Sequence, residues 1–319
     1  MKKISILTPC YNEEGNVKNL YEAVKKVMQS LPQYEYEHIF IDNCSQDKTE
    51  TILEEIALHD HNVRVIENLR NFGPGRSGSY GFFQTSGDAS ICLACDFQDP
   101  PELIPEFVDM WEKGYKVVWG KKTASEESKA MFAVRGLYYK IIRKSADTKQ
   151  YEQVTGFGLY DREVVSKMRD ADEPSPNFRN LVAELGYQVG FIEYAQPKRA
   201  AGKSSYTFSS YMNTAIDSFV NTSRLPMLMA IYIGIFTSLL SFVAALVLFI
   251  IQLCMWGSVS FVFWYIILTV LFAGGIILFF QGVFAEYIGE ILLRVTKRPL
   301  VVEKKRINFD EKSDDRNIL

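Results

Sequence analysis

The chain has 319 residues, 48% of them hydrophobic and 23% charged, and its 35 Lys+Arg against 38 Asp+Glu leave a formal net charge of −3. That balance excludes a protein built chiefly to coat nucleic acid, which would need a basic surplus, so no nucleic-acid partner is expected. Aromatic content of 13%, with 20 Gly and 11 Pro, excludes a disordered or collagen-like chain.

Met1-Lys2-Lys3 and a short apolar run open the sequence, but Tyr11-Asn12-Glu13-Glu14 ends that run too early for a secretory signal, and none is expected. Residues 4–8 read as a buried strand. Residues 17–30 read as a helix, with Leu20, Val24 and Val27 recurring at helical spacing. The pattern then predicts strand at 36–42, helix at 49–59, strand at 63–67, helix at 75–85 and strand at 89–94. Residues 101–112 read as a helix with Pro101 in its first turn, and 116–120 as a further strand. Such alternation predicts an α/β sheet with helices on both faces and ligands at the carboxyl ends of the strands.

The C-terminal third is different. Residues 225–285 carry no charged side chain. A membrane-crossing helix needs roughly 20 apolar residues, so this stretch fits two spans, placed near 226–255 and 261–285. Trp256-Gly257-Ser258-Val259-Ser260 breaks the aliphatic run between them. Two buried helices of a soluble core would each carry a polar face, and neither segment has one. Arg224 precedes the first span, while Arg294, Lys297, Arg298, Lys304, Lys305 and Arg306 follow the second. The turn has no Lys or Arg, so both ends are expected on the cytoplasmic side. Residues 204–225 offer Tyr206, Phe208, Tyr211, Met212, Ile216, Phe219 and Val220 at roughly helical spacing. They read as a juxtamembrane interfacial helix, the alternative being helices packed on the N-terminal domain. Residues 287–319 read as a charged tail whose basic start faces anionic lipid.

Five cysteines in a cytoplasmic chain suggest reduced thiols. Cys92 and Cys95 form a C-x-x-C, but within an apolar strand residues three apart face opposite sides, and no second pair is present. His38, His59 and His61 are distant in sequence, so two packed thiols are expected rather than a metal or redox site.

Polar residues gather where the strands end. The first strand runs into Pro9-Cys10-Tyr11-Asn12-Glu13, the second into Asp42-Asn43-Cys44-Ser45-Gln46-Asp47, and the fourth into Asp96-Phe97-Gln98-Asp99. Carboxylates suit ribose hydroxyls and base N–H groups, and hard oxygen ligands suit Mg²⁺ or Mn²⁺. Asp47 and Thr49 read individually as a helix cap, yet three coincident clusters point to a nucleotide and metal site. Gly73-Pro74-Gly75-Arg76-Ser77-Gly78 matches the dinucleotide G-x-G-x-x-G, but Asn68–Phe72 separates it from its strand, so a redox cofactor is not expected. The glycines instead allow close backbone approach near the nucleotide, with Arg76 available to a phosphate.

The run Pro9 to Glu14, the Asp42/Ser45/Asp47/Thr49 cluster, Arg70-Asn71-Phe72-Gly73, Asp96-Phe97-Gln98-Asp99-Pro100-Pro101-Glu102 and Arg199-Ala200-Ala201-Gly202-Lys203-Ser204-Ser205-Tyr206 resemble family 2 glycosyltransferases over nearly the whole chain. The nearest branch is the polyprenyl-phosphate (bactoprenol) glycosyltransferases, related to dolichyl-phosphate mannose synthase. The resemblance implies a GT-A domain at 1–203, the interfacial helix at 204–225, two transmembrane helices within 226–286 and a cytoplasmic tail at 287–319. It implies an inverting transfer from a nucleotide-diphospho-sugar, with uridine preferred, to a polyprenyl phosphate. The reaction would run at the cytoplasmic face of the plasma (inner) membrane and serve cell-envelope glycosylation; a homo-oligomer stays open. By this likeness Pro9, Tyr11, Glu13 and Asp42 hold the nucleoside, and Asp96 and Gln98 sit at Mg²⁺ or Mn²⁺. Asp96 and Arg199 are the catalytic candidates, and Arg199, Lys203 and Ser204 meet phosphates. Arg179 is a further phosphate candidate, its alternative being a surface ion pair.

The departures are specific. Ala94 stands at the first position of the family's Asp-x-Asp, Asn43 and Cys44 replace the second Asp and the Gly of Asp-Asp-Gly-Ser, and Pro74 replaces a basic residue. Thr155-Gly156-Phe157-Gly158-Leu159 matches Gly-Asp-Phe-Arg-Leu, so Gly156 replaces the proposed catalytic acid. A lipid phosphate is already mostly an oxyanion at pH 7 and needs no general base, which keeps an active enzyme with a single in-line displacement the favoured reading. The rivals are a catalytically impaired, membrane-bound nucleotide-binding or scaffold subunit, and a transferase to a lipid hydroxyl.

Overall fold

The computed structural model describes residues 1–123, 151, 153–173, 176–197, 262–296 and 298–309, together with residues 236, 240, 243, 247, 250 and 251. The chain divides into two units. Met1–Val134, Thr148–Ser205 and Lys297–Leu319 form the first, and Arg135–Asp147 with Tyr206–Thr296 the second.

In the first unit the order is β1 (Lys2–Cys10), α1 (Val17–Gln29), β2 (Tyr34–Asp42), α2 (Thr49–His59), β3 (Val63–Asn68), α3 (Pro74–Phe83) and β4 (Ala89–Cys92). A 3₁₀ turn at Pro101–Leu103 leads into α4 (Ile104–Glu112), then β5 (Val117–Lys122), β6 (Val154–Asp161), α5 (Arg162–Asp170), α6 (Phe178–Leu185) and β7 (Val189–Tyr194). The first nine expected elements are present, with ends shifted by a few residues.

Among the described residues the strands form one sheet in the order β7-β5-β6-β4-β1-β2-β3-β8. β4, β1, β2 and β3 run parallel, and β6 lies antiparallel to β4 and to β5. Leu20, Val24 and Met28 of α1, Leu53 and Ile56 of α2, and Phe107 and Trp111 of α4 cover one face of the sheet. Phe82 of α3, Val165 and Met168 of α5, and Leu181 and Val182 of α6 cover the other. With both faces closed, β1 is apolar on both sides, and Ile4, Ile6 and Leu7 are fully buried. The chain runs from β1 outward to β2 and β3, then returns to place β4 on the other side of β1. The strand order therefore reverses beside β1, the position at whose carboxyl ends open α/β sheets bind their ligands.

β8 (Glu303–Ile307) corrects the expected tail. Its residues pair antiparallel with β3, Ile307 opposite Val65 and Lys305 opposite Glu67. Lys304 meets Glu50 at 2.5 Å, Lys305 meets Glu54, and Arg306 reaches Gln84 at 2.9 Å and the Tyr80 hydroxyl at 3.1 Å. These three cations face protein acids and acceptors rather than lipid, because α2 and β3 present carboxylates that only a basic strand can neutralise.

In the second unit α7 (Val262–Val295) is the described helix. Its window Phe272–Gly289 is long and apolar enough to cross a membrane, and it is the single such helix among the described residues. The helix runs on past residue 285, the expected end of the second span. Most of the expected first span and all of 204–225 lie outside the described residues. Within that first span Phe236, Leu240, Val243, Val247, Ile250 and Ile251 are helical and exposed.

Candidate active site

The loops after β1 and β2 are sewn together. The Asn12 N–H donates to Ser45 Oγ at 2.9 Å, and Asn12 Oδ1 accepts the Gln46 N–H at 2.8 Å. The Glu13 N–H donates to Thr49 Oγ1 at 2.8 Å, and the Glu14 N–H to Asp47 at 3.1 Å. Asp47 also accepts the Thr49 N–H at 2.9 Å, so the residue read as a cap tethers both loops. Asn12, Cys44 and Phe97, one in each strand-end loop, all have positive φ, of 56°, 64° and 59°. Three non-glycine residues in the left-handed region at one edge mark a place where backbone shape is held against its preference.

Asp42 closes β2 at 1% exposure and accepts the Ser45 N–H at 2.9 Å and the Ser45 hydroxyl. Burial raises its carboxyl above the usual range, and the Ser45 bonds only partly offset this. Tyr11 stands 39% exposed beside it, and Glu13 accepts from Asn16 Nδ2 at 2.6 Å. Pro9 lies at the end of β1, next to Gly78 of α3, where a Cβ would sit 3.4 Å from its ring. Pro9, Tyr11, Glu13 and Asp42 are thus brought to the ends of two adjacent parallel strands.

Beyond β4, Asp96 is 7% exposed and accepts the Gln98 N–H at 3.2 Å. Asp99 accepts the Ala94 N–H at 3.3 Å and the Tyr194 hydroxyl at 3.1 Å. Burial pushes its carboxyl up to about 6, against the pull of the Tyr194 bond and the Lys122 charge. Lys122, last residue of β5, is half-buried and feels the charges of both Asp99 and Asp96. Asp99 belonged to the fourth strand-end cluster without a role of its own, and Lys122 and Tyr194 were not among the sequence candidates. The Lys121-Lys122 pair closing a predicted strand was the available signal.

Asp96 and Gln98 carry hard oxygen donors of the kind that could hold Mg²⁺ or Mn²⁺. A different trio, Glu50, Glu54 and Glu67, also converges, but Lys304 and Lys305 already occupy it. Cys95 turns away from Cys92 and toward Cys10. Burial, then this neighbouring thiol, raises Cys10, and burial pushes Cys92 up to about 12, so both stay protonated.

Two candidates face elsewhere. Arg76 Nη2 donates to the Pro299 carbonyl at 2.7 Å, because the segment entering β8 passes over α3. Arg179 Nη1 donates to the Val154 carbonyl at 3.2 Å, anchoring the start of β6 in place of a surface ion pair. Gly156 follows on that strand at φ 95°, its carbonyl accepting from the Tyr160 hydroxyl at 2.8 Å. Arg199, Lys203 and Ser204 lie outside the described residues.

The glycosyl transferase family 2 model matches residues 5–169. A prophage-derived bactoprenol glucosyl transferase of Shigella flexneri is 32% identical over 304 residues, covering 95% of this chain and 98% of that protein. The glycosyltransferase YkcC of Bacillus subtilis is 30% identical, covering 97% and 95%. Among solved structures, the UDP complex of glucosyl-3-phosphoglycerate synthase from Mycobacterium tuberculosis has a TM-score of 0.47 at 17% identity, covering 67% of this chain and 76% of that one.

Proposed function

The chain belongs to glycosyl transferase family 2 and has its α/β, GT-A-like catalytic domain, and from that premise we propose that it transfers a sugar from a nucleoside-diphosphate donor, preferably UDP, to a polyprenyl phosphate, inverting the anomeric carbon. The observation that supports the reading is that the loops after β1, β2 and β4, three neighbouring strands, carry Tyr11 and Glu13, Asp42, and Asp96 and Gln98 at one edge of the sheet. In this reading the first three would meet the nucleoside and the last two the diphosphate. The names of the Shigella relatives support bactoprenol as the acceptor class.

The acceptor chemistry fits the residues at hand. A phosphate monoester with a second pKa near 6 is mostly ionised at pH 7, so the attacking oxygen needs no carboxylate to take a proton, and Gly156 removes nothing essential. As the phosphate oxygen approaches the anomeric carbon, the bond to the diphosphate breaks and negative charge grows on the leaving group. A divalent cation, when bound, neutralises part of that charge. Asp96 and Gln98 would hold such a cation, while Lys122 and Arg199 would add positive charge beside the leaving group. In this reading the donor and the charged acceptor headgroup would meet at the cytoplasmic face of the membrane.

Membranes bearing the chain, incubated with radiolabelled nucleotide-sugars and then extracted, should yield labelled lipid that releases its sugar in mild acid. Asp96→Ala should lower this transfer by at least ~100-fold with insertion unchanged. Full turnover of Asp96→Ala in EDTA would remove the metal role, and an acid-stable product would favour a lipid hydroxyl acceptor. Ala94 and Gly156 are the residues that favour the impaired-subunit reading, and nucleotide binding without any labelled lipid would establish it.

A further inference from the structure

The loop that follows β4 carries both candidate cation ligands, and its shape is held against its own preference. Asp96 and Gln98 flank Phe97, whose φ of 59° lies in the left-handed region that a phenylalanine seldom adopts. Such a backbone persists only where its surroundings over-determine it. Phe97 packs partly against the core, and the Asp96 carboxylate accepts the Gln98 N–H at 3.2 Å. Asp99 adds two restraints. Its Oδ2 accepts the Ala94 N–H at 3.3 Å, which ties the two ends of the loop together, and its Oδ1 accepts the Tyr194 hydroxyl at 3.1 Å.

Tyr194 is itself fixed. It ends β7, is 6% exposed, and its carbonyl accepts the Thr123 N–H at 3.0 Å. Its ring meets that of Phe157 edge-on with centroids 5.6 Å apart, and lies so close to Gly120 that a Cβ there would come within 2.9 Å of it. β5 and β6 stand between β7 and β4 in the sheet, so this hydrogen bond refers the loop after β4 to a strand two places beyond its neighbour. The chemistry of the pair is matched. The Ala94 N–H and the Tyr194 hydroxyl both donate, and a carboxylate offers an acceptor to each at once. We propose that Asp99, held by Tyr194, is the positioning residue of this loop: it fixes the backbone on either side of Phe97 from which Asp96 and Gln98 would take a divalent cation. The inference rests on the family 2 reading, in which that cation accompanies a nucleoside diphosphate.

The test measures binding by the full chain in detergent, with Mn²⁺ read by electron paramagnetic resonance and UDP by calorimetry. Asp99→Ala keeps neither hydrogen bond, and Tyr194→Phe keeps the ring packing but not the hydroxyl. Asp99→Asn keeps both contacts, because its oxygen can accept from Ala94 while its amide nitrogen donates to the phenol oxygen. In the presence of UDP, Asp99→Ala should weaken Mn²⁺ binding by about tenfold or more, Tyr194→Phe by less, and Asp99→Asn least of all. UDP affinity in EDTA should stay at the parent value in all three, since Tyr11, Glu13 and Asp42 stand at the ends of β1 and β2. A general loss of fold would lower both affinities, so an equal fall of UDP binding with and without Mn²⁺ would overturn the positioning role. Parent-like Mn²⁺ binding in Asp99→Ala would overturn it too, and so would an Asp99→Asn variant that fails as fully as Asp99→Ala, because charge rather than the two hydrogen bonds would then matter. A parent that binds no Mn²⁺ with UDP would overturn the cation reading of Asp96 and Gln98 together with this one. The expected ranking without any labelled lipid would support the role of Asp99 and overturn the transfer reading alone.

Discussion

An aspartate at position 43 could not do what Asn43 does. Its amide nitrogen donates to Asn71 Oδ1 at 3.0 Å, while its oxygen accepts the Phe72 N–H at 3.0 Å and the Asn68 amide at 3.1 Å. A carboxylate would keep the acceptor and lose the donor. Asn43→Asp should therefore cost about 1–3 kcal/mol and loosen residues 69–73, read as a lower unfolding temperature and faster amide exchange in that loop. Glu37 carries a second expectation. Burial alone would raise its carboxyl, but hydrogen bonds from Lys3, Ser5 and the Ser86 N–H, with the charge of Arg64, hold it below the ordinary 4.5. A depressed folded pKa adds stability above the unfolded value, and this stability is lost as pH falls through the folded one. Glu37→Gln should flatten the stability profile below pH about 4.5 and cost on the order of 3 kcal/mol at pH 7, measured by denaturant titration. Asp42 and Asp96 could be picked out as candidates because acids after apolar runs stand out in a sequence, and Gln98 because it stands two residues from Asp96. Lys122 was not: its importance comes from β5 lying within reach of the β4 loop, a proximity made by strand order across a long separation in sequence.

At the scale of elements, the sequence disclosed the β/α alternation up to residue 120 because each strand there is a short apolar run bounded by polar loops. β8 stayed hidden. Glu303-Lys304-Lys305-Arg306-Ile307 has the composition of a solvated tail, and only the acids of α2 and β3, far away in sequence, make it a strand. It covers the edge of β3, which would otherwise present unpaired N–H and C=O groups. A chain stopped after Val302 should melt several degrees lower and self-associate in detergent, as read by thermal unfolding and size-exclusion chromatography. β6 has a different constraint. A Cβ on Gly158 would lie 2.1 Å from the Val118 carbonyl oxygen, so no larger side chain can be placed there without moving β5. Gly156, at φ 95°, likewise resists the missing acid.

At the scale of the whole molecule, the charge pattern predicts that a reporter fused at Gly257–Ser258 lies outside the cell and one fused after Leu319 lies inside. Phosphatase and fluorescent-protein fusions would check this, and reversed signals would place the strand-end site away from a cytoplasmic donor. The described helix α7 supports the second crossing, while the first rests on the uncharged run alone. The position of β8 also has a meaning in time. Translation delivers β1 to β7 first, the uncharged stretch next and β8 after it, so the nascent domain waits with β3 open while residues 225–285 are made. Only a chain that has been read past the uncharged stretch to Glu303–Ile307 can close that edge. Completion of the sheet is thereby a record that the uncharged stretch has already been made, and a chain interrupted before β8 displays β3 as a bare strand to any chaperone or protease that binds extended backbone.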